Sequence, residues 1–257
     1  MCIRDSLAAT ALFGAFTDAI KTAVIDAGKT AAEVGLQFQG VLDVADPRNL
    51  VGLIIGAAVV FLFSGLAVNA VSRAAGAVVV EVREQFRLHP GIMKGTEKPD
   101  YARVVDICTR DSLRELVTPG LLAVMAPIAV GFGLGVGALG AYLAGAIGTG
   151  TLMAVFLSNS GGAWDNAKKM VEDGHHGGKN SDAHAATIVG DTVGDPFKDT
   201  AGPAINPLIK VMNLVALLIT PAIVSLALGE GESTSMLISL AAVAVIVGAL
   251  ILSLIHI

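Results

Sequence analysis

Apolar residues form long stretches along this chain, and polar residues are gathered between them. Four stretches are long enough to cross a bilayer as helices, at about 50–72, 118–142, 203–228 and 235–255. Each predicts one membrane span, because a helix needs about 20 apolar residues to cross the hydrocarbon layer. Residues 143–156 predict a fifth span that follows 118–142 in a close antiparallel turn. Leu7 to Ile20 is too short by itself and predicts the last half of a partial N-terminal span.

The polar segments differ in charge, and this predicts their orientation. Residues 73–117 are rich in lysine and arginine, whereas residues 21–49 contain only Lys21, Lys29 and Arg48. Cytoplasmic loops of membrane proteins are enriched in these cations, so we place 73–117 in the cytoplasm and 21–49 outside. Counting spans then returns 165–199 to the cytoplasmic side. Within 73–117, Val78 to Leu88 predicts a cytosolic extension of the preceding helix.

The composition agrees with a membrane protein. The 257 residues are 54% hydrophobic and only 15% charged, whereas soluble domains are about a quarter charged. We therefore predict an all-α fold, a polytopic transmembrane helical bundle with about five spans plus the partial one. The net charge of −5, without a basic stripe, argues against a general nucleic-acid binder. Cys2 and Cys108 fit neither a disulfide framework nor a metal-ligand spacing.

One glycine-rich segment matches a nucleotide-binding pattern only formally. Gly135 to Gly140 has the GxGxxG spacing, but a dinucleotide site needs a preceding strand and a βαβ unit. The match lies in an apolar span, where small residues let helices approach closely. We expect these glycines to serve helix packing.

Charged residues with helical spacing stand where apolar helices emerge on the predicted cytoplasmic side. The first segment is Ser160-Gly-Gly-Ala-Trp-Asp-Asn-Ala-Lys-Lys169, and the second is Gly190-Asp-Thr-Val-Gly-Asp-Pro-Phe-Lys-Asp-Thr200. Helical spacing places Asp165, Lys168 and Lys169 on one face. It also places Asp191, Asp195 and Asp199 in a second stripe, with Lys198 beside them. Pro196 lacks an N–H donor and predicts a kink or a new helix start.

Acids stacked one turn apart repel each other unless positive charge lies among them. Mg²⁺ suits such a place, since a few carboxylates and substrate phosphates commonly hold it. The interspersed lysines can bind phosphate oxygens. The pattern therefore favours a Mg²⁺–phosphate site, and the alternative is a solvated charged loop.

Two further polar residues lie deeper in the last-but-one apolar stretch. Lys210 lies roughly 16 Å beyond Asp199 along a helix, and Asn206 is one turn before it. A lysine at such depth costs at least about 2.5 kcal/mol unless it is paired or hydrated. We expect Lys210 and Asn206 to belong to an ion pathway, and the alternative is a snorkelling lysine.

The two motifs, together with EVREQF, PGIMKGTEKPDY, GPAINPLIK and LFGAF, resemble those of the membrane-bound inorganic pyrophosphatases, which are pyrophosphate-energised proton or sodium pumps. The resemblance implies a homodimer in a lipid bilayer, with sixteen or seventeen spans per protomer. It implies hydrolysis of Mg²⁺-pyrophosphate at the cytoplasmic face, coupled to H⁺ or Na⁺ movement. Localisation in a bacterial inner membrane is expected.

The resemblance also implies roles for individual residues. Asp165, Asp195 and Asp199 match carboxylates that bind Mg²⁺-pyrophosphate, where Ca²⁺ competes as an inhibitor. Asp199 matches one of two aspartates that position the attacking water, and it is predicted with Lys198 to be catalytic. The lysines expected near the phosphates are Lys168, Lys169 and Lys198. Lys210 matches the lysine of the ion gate, with Asn206 one turn above it, and Asp191 is expected to support the other residues.

The whole chain, 1–257, is expected to be the C-terminal part of one such domain. On this interpretation an upstream acidic pyrophosphate-binding segment is missing, so the chain alone is expected to be inactive. Residues 1–6 and about 252–257 are expected to be non-native remnants. Two other functions stay open: a secondary ion transporter or channel without hydrolysis, and a purely structural fragment. Lysines among the acids favour hydrolysis, because cation transport alone gives no reason for them.

Overall fold

The structure is a computed structural model that describes residues 3–229 and 231–255. Within these residues the fold is helical and contains no strand. The helices are α1 (Ile3–Asp26), α2 (Pro47–Leu88), α3 (Tyr101–Glu115), α4 (Val117–Leu134), α5 (Val136–Glu172), α6 (Asp182–Asp195), α7 (Gly202–Leu228) and α8 (Glu232–Ile255). A π-helical turn, Pro196–Ala201, joins α6 to α7, and short 3-10 turns occur at Ala31–Glu33, Leu36–Gln39 and His175–Gly177.

Six helical segments of the described chain are long and apolar enough to cross a membrane, with α3–α4 and α6–α7 each counted as one. The predicted all-α helical bundle of an integral membrane protein is therefore confirmed. The N-terminal segment corrects the prediction in one respect. The helix continues past Ile20 to Asp26, so that Leu7–Asp26 is itself long enough to span. The polar residues after Ile20 stay helical, which an apolar count does not detect.

The boundary between the predicted spans 118–142 and 143–156 also differs from the prediction. Helix α4 ends at Leu134, and Gly135 takes a φ of 97° before α5 begins at Val136. Glycine adopts such a conformation at little cost because it has no Cβ. Residues 136–142 therefore belong to α5. The prediction was wrong here because the apolar run continues through the turn without a polar residue to mark it.

Helix α2 confirms the predicted extension beyond the apolar layer. Its 42 residues form one unbroken helix of about 63 Å, roughly twice the hydrocarbon thickness of a bilayer. Helix α3 packs beside the extension. Arg103 Nε lies 2.9 Å from Glu81 Oε2, and the Asp100 N–H donates to Gln85 Oε1 at 2.9 Å. These contacts tie the polar end of α2 to the start of α3.

Glycines bring α2 and α5 into direct backbone contact. A Cβ on Gly52 would lie 2.2 Å from the Ala138 carbonyl oxygen, and a Cβ on Gly56 would lie 2.0 Å from that of Tyr142. Neither position can hold a larger residue without moving the helices apart. The GxGxxG segment likewise serves packing, since a Cβ on Gly140 would meet the Phe16 ring at 3.3 Å. No strand precedes it in the described chain, so the packing prediction is confirmed.

The helices alternate in direction, and their connections collect at two ends of the bundle. At one end a Cβ on Gly137 would lie 2.8 Å from Asn49 Oδ1, and Ser235 Oγ donates to the Phe132 carbonyl at 2.7 Å. At the opposite end lie the α2–α3 connection and the α5–α6 connection. The charged motifs belong to this second end, as the span count predicts.

Candidate functional site

Two glycines allow α5 and α6 to approach closely where the charged motifs lie. A Cβ on Gly161 would lie 2.6 Å from the Gly194 carbonyl oxygen and 2.8 Å from Lys198 Cβ. A Cβ on Gly194 would lie 2.8 Å from the Trp164 ring, which also packs edge-to-face on Phe197 with ring centroids 5.8 Å apart. The charged residues that follow each glycine are thereby brought together across the two helices.

Lys198 lies at the centre of the resulting charged cluster. Its Nζ is 3.1 Å from Asp165 Oδ2 on α5, 3.0 Å from Asp191 Oδ1 on α6 and 2.8 Å from Asp195 Oδ1. The Lys198 side chain is 16% exposed and that of Asp191 is 10% exposed, so this part of the cluster is largely shielded from water. One ammonium group therefore compensates carboxylates from two helices.

The other two lysines each pair with a different acid. Lys169 Nζ lies 3.1 Å from Asp165 Oδ2 within α5, as the predicted i, i+4 spacing allows. Lys168 instead reaches across to α6 and forms an ion pair with Asp191. Asp191 thus accepts from Lys168 and Lys198 together. The supporting role that the sequence predicts for Asp191 stays a prediction, and these two ion pairs are the contacts on which it would rest.

The ion pairs shift the titration of these groups toward their charged forms. Helix α5 is about 55 Å long, so the part carrying the cluster extends beyond a hydrocarbon layer of about 30 Å. Hydrogen bonds from Lys169 and Lys198 hold the pKa of Asp165 below its ordinary value, and those from Lys168 and Lys198 lower the pKa of Asp191. The pKa of Lys198 is raised, chiefly by Asp195.

Asp199 lies in the π-helical turn that follows α6. Pro196 has no N–H to donate to the carbonyl of Thr192, and the helix widens over Pro196–Ala201 before α7 begins. Asp199 is consequently exposed and forms no ion pair with any described residue. The sequence predicted a stripe through Asp191, Asp195 and Asp199. Lys198 pairs with the first two, and the place of Asp199 in the stripe stays a prediction.

Helix α7 carries a line of polar residues away from the cluster. Asn206, Lys210 and Asn213 recur at i, i+4 and i+7 on one face, in an otherwise apolar helix. The side-chain oxygens Asn206 Oδ1 and Asn213 Oδ1 are buried and accept no hydrogen bond from the described residues. The sequence prediction included Asn206 and Lys210 but missed Asn213.

The described acids do not form a ready-made metal cage, since no group of three His, Cys, Asp or Glu among them is placed to hold an ion. Mg²⁺ nevertheless commonly binds through one or two carboxylates, with water and substrate phosphates completing its shell. Asp195 is half-exposed and Asp199 is exposed, so both present carboxylate oxygens to an incoming ligand. The donor set therefore fits Mg²⁺ that arrives with a phosphate substrate.

The sequence alone identified most of this cluster. Helical spacing selected Asp165, Lys168, Lys169, Asp191, Asp195 and Lys198, and the structure brings all six together. The sequence prediction did not include Gly161 and Gly194, which allow α5 and α6 to approach closely. Gly161 stands four residues before Asp165, and Gly194 stands four residues before Lys198. That recurrence was the available signal.

Comparison with known proteins identifies sequences similar to most of this chain. The sequence model of the family described as inorganic H⁺ pyrophosphatase matches residues 4–219. A K⁺-insensitive pyrophosphate-energized proton pump of Streptomyces avermitilis is 71% identical over 249 residues, which cover 96% of this chain and 31% of that protein. The pump of the same description from Streptomyces coelicolor is 69% identical over the same shares.

A less similar relative is described as a pump for a different ion. A putative K⁺-stimulated pyrophosphate-energized sodium pump of Bacteroides thetaiotaomicron is 50% identical over 194 residues, which cover 75% of this chain and 26% of that protein. The chain thus spans about a third of the length of the curated relatives it matches. Since the family model covers most of the chain and the identities are high, the chain belongs to the inorganic H⁺ pyrophosphatase family.

Proposed function

We propose that this chain forms part of a membrane pump that hydrolyses Mg²⁺-pyrophosphate to two phosphates at the cytoplasmic face and couples this to translocation of a proton. The observation that carries the proposal is the Lys198 ammonium held between carboxylates of α5 and α6. Converging acids can bind the cations of a ligand and converging lysines can bind its anions, so this arrangement suits a ligand that contains both. The proton is favoured over Na⁺ because the two Streptomyces relatives, which are 71% and 69% identical to this chain, are described as proton pumps.

The charge balance explains how such a ligand enters. Without it, Lys198 compensates the acids directly. Asp165, Asp195 and Asp199 are the carboxylates that would hold Mg²⁺, and Lys198 would then be free to donate to phosphate oxygens, together with Lys168 and Lys169. Asp191 keeps Lys168 and Lys198 beside the ligand throughout. Ca²⁺ is expected to compete for the same carboxylates as an inhibitor, since it prefers oxygen ligands too but with a looser geometry.

Asp199 is assigned to the attacking water. It lies beside the cluster, is exposed and has no ammonium partner among the described residues, so its carboxylate is available to accept a proton from water. The partner carboxylate comes from outside this chain. Mg²⁺ held by these carboxylates would supply positive charge that stabilises the transferred phosphoryl group. The two products leave without a covalent phosphoenzyme, and homodimerisation of the complete pump is part of the proposal.

The test uses a chimeric pump in which this chain replaces the matching part of the Streptomyces avermitilis protein. Asp199→Asn should lower phosphate release from pyrophosphate in membrane vesicles by about 100-fold, as loss of a positioned base does. Asp173→Asn changes an exposed aspartate at the C-terminal end of α5 and serves as the matched control. Hydrolysis that survives Asp199→Asn contradicts the catalytic assignment. Ion uptake by the parent chimera without any phosphate release would instead support a transporter that does not hydrolyse pyrophosphate.

A further inference from the structure

The side chain of Asn213 is fully buried in α7 and incompletely hydrogen-bonded. The residue is 1% exposed, and this burial is produced by the described helices themselves. Its Nδ2 donates to the Ile209 carbonyl at 2.8 Å, whereas Oδ1 accepts nothing from the described residues. A buried amide oxygen without a donor is costly, and an ordered water or ion is the usual explanation.

Asn213 lies on the face of α7 that also carries Lys210. It is three residues further along, which is about 4.5 Å of helix rise. Asn206, one turn before Lys210, has a second buried oxygen without a donor in the described chain. Two acceptor oxygens about 10 Å apart along the axis therefore flank a cationic side chain.

A backbone carbonyl further along α7 provides another hydrogen-bond acceptor on the same face. Pro221 lies inside α7 and has no N–H to donate to the carbonyl of Leu217. Leu217 is four residues after Asn213 and so shares its face of the helix. Thr220 provides the contrast, because its hydroxyl is equally buried but donates to the Ala216 carbonyl at 2.7 Å.

From these positions we infer that Asn213 Oδ1 holds a water molecule that continues the transport path beyond Lys210, away from the hydrolytic cluster. Buried waters occupy sites with two to four polar partners. Asn213 Oδ1 accepts one hydrogen of this water, and the Leu217 carbonyl, about two helix turns beyond the Ile209 carbonyl to which Asn213 Nδ2 donates, is a separate acceptor further along the path. Asn213 itself forms and breaks no covalent bond. Its amide oxygen fixes the orientation of the water between Lys210 and the far end of α7. The inference rests on the proposed pump function.

The test compares two substitutions of nearly equal shape in the chimeric pump. Asn213→Thr keeps an oxygen that can accept from water, and Asn213→Val removes it. We expect Asn213→Val to lower the ratio of protons taken up to pyrophosphate hydrolysed by about tenfold, which corresponds to about 1.4 kcal/mol on the transport barrier. Asn213→Thr should restore most of that ratio. Thr220→Val, at a buried hydroxyl satisfied within its own helix, should leave the ratio unchanged.

The outcomes separate this inference from the pump function. If Asn213→Val and Asn213→Thr transport as the parent does, the oxygen at position 213 binds no water of the path and the inference is wrong. If the parent chimera hydrolyses no pyrophosphate, the proposed function fails instead. Should Asn213→Val not fold, Asn213→Cys in a cysteine-free background gives a second measurement. Its labelling by a small water-soluble thiol reagent supports a hydrated path, and complete protection contradicts it.

Discussion

At the scale of single residues, Lys198 and Asp191 hold the cluster together. Lys198 contacts acids of α5 and α6, and Asp191 contacts Lys168 of α5 and Lys198 of the π-helical turn. Two largely buried opposite charges stabilise each other only while both remain, because a lone buried charge loses its hydration without compensation. The cluster therefore behaves as one unit, and removal of either central residue, Lys198 or Asp191, should destabilise it.

The unit predicts a specific effect of Asp191→Asn on stability. Because the pKa of Asp191 is lowered in the folded protein, the unfolded chain binds the proton more readily. The Asp191 carboxylate therefore stabilises the folded protein at pH values above the ordinary carboxyl pKa. This stabilisation is lost as the pH falls through the lowered pKa. Asp191→Asn should lower the thermal midpoint in detergent at pH 7 by several degrees and flatten its decline toward acid pH. Asp173→Asn should change neither, and an unchanged Asp191→Asn profile would argue against the ion pairs.

At the scale of helices, close packing decides where the charges meet. The contact of α5 with α6 depends on Gly161 and Gly194, and the contact of α2 with α5 depends on Gly52 and Gly56. In membranes such small residues let backbones approach, since apolar side chains gain little by leaving lipid. The π-turn after Asp195 is a second feature at this scale, because it carries both Lys198, which pairs with the acids, and Asp199, which is exposed.

Adjacent glycines in α5 offer a matched test of this packing. A Cβ on Gly161 would overlap the Gly194 carbonyl at 2.6 Å, whereas a Cβ on Gly162 would meet nothing within 4 Å. Gly161→Ala should push α6 away from α5 and lower pyrophosphate hydrolysis by about 100-fold, as a displacement of about 1 Å in a catalytic group can. Gly162→Ala should retain activity and slightly raise the thermal midpoint, since alanine favours a helix over glycine. Equal activity in the two variants would show that close packing here is dispensable.

At the scale of the whole molecule, the alternation of helices places all cluster residues at one end. The polar end of α2 with α3 lies on that side, and the connections before α2, between α4 and α5, and before α8 lie on the other. The excess of lysine and arginine in 73–117 predicts that the cluster end faces the cytoplasm.

Labelling from either side of the membrane checks this orientation. Lys94 and Lys179 are exposed residues of the two connections at the cluster end, and Lys29 is an exposed residue of the opposite end. In a cysteine-free chimeric pump, an impermeant thiol reagent should modify Lys94→Cys and Lys179→Cys in inside-out vesicles. Lys29→Cys should react only in right-side-out vesicles. Reaction of all three from one side would overturn the topology.

The sequence by itself determined the class of fold and the members of the cluster. Long apolar runs predict spanning helices because a backbone in lipid has to satisfy its hydrogen bonds internally, and the spacing of Asp165, Lys168 and Lys169 follows from helical periodicity alone. Only the tertiary structure decided that Gly135 breaks an apolar run and that Lys198 pairs with acids of two helices whereas Asp199 forms no ion pair with a described residue. It also decided that Asn213 Oδ1 lacks a donor among the described residues. Periodicity is local and can be read along one helix, whereas these features depend on distances between atoms of different helices and on one turn that departs from the α-helical period.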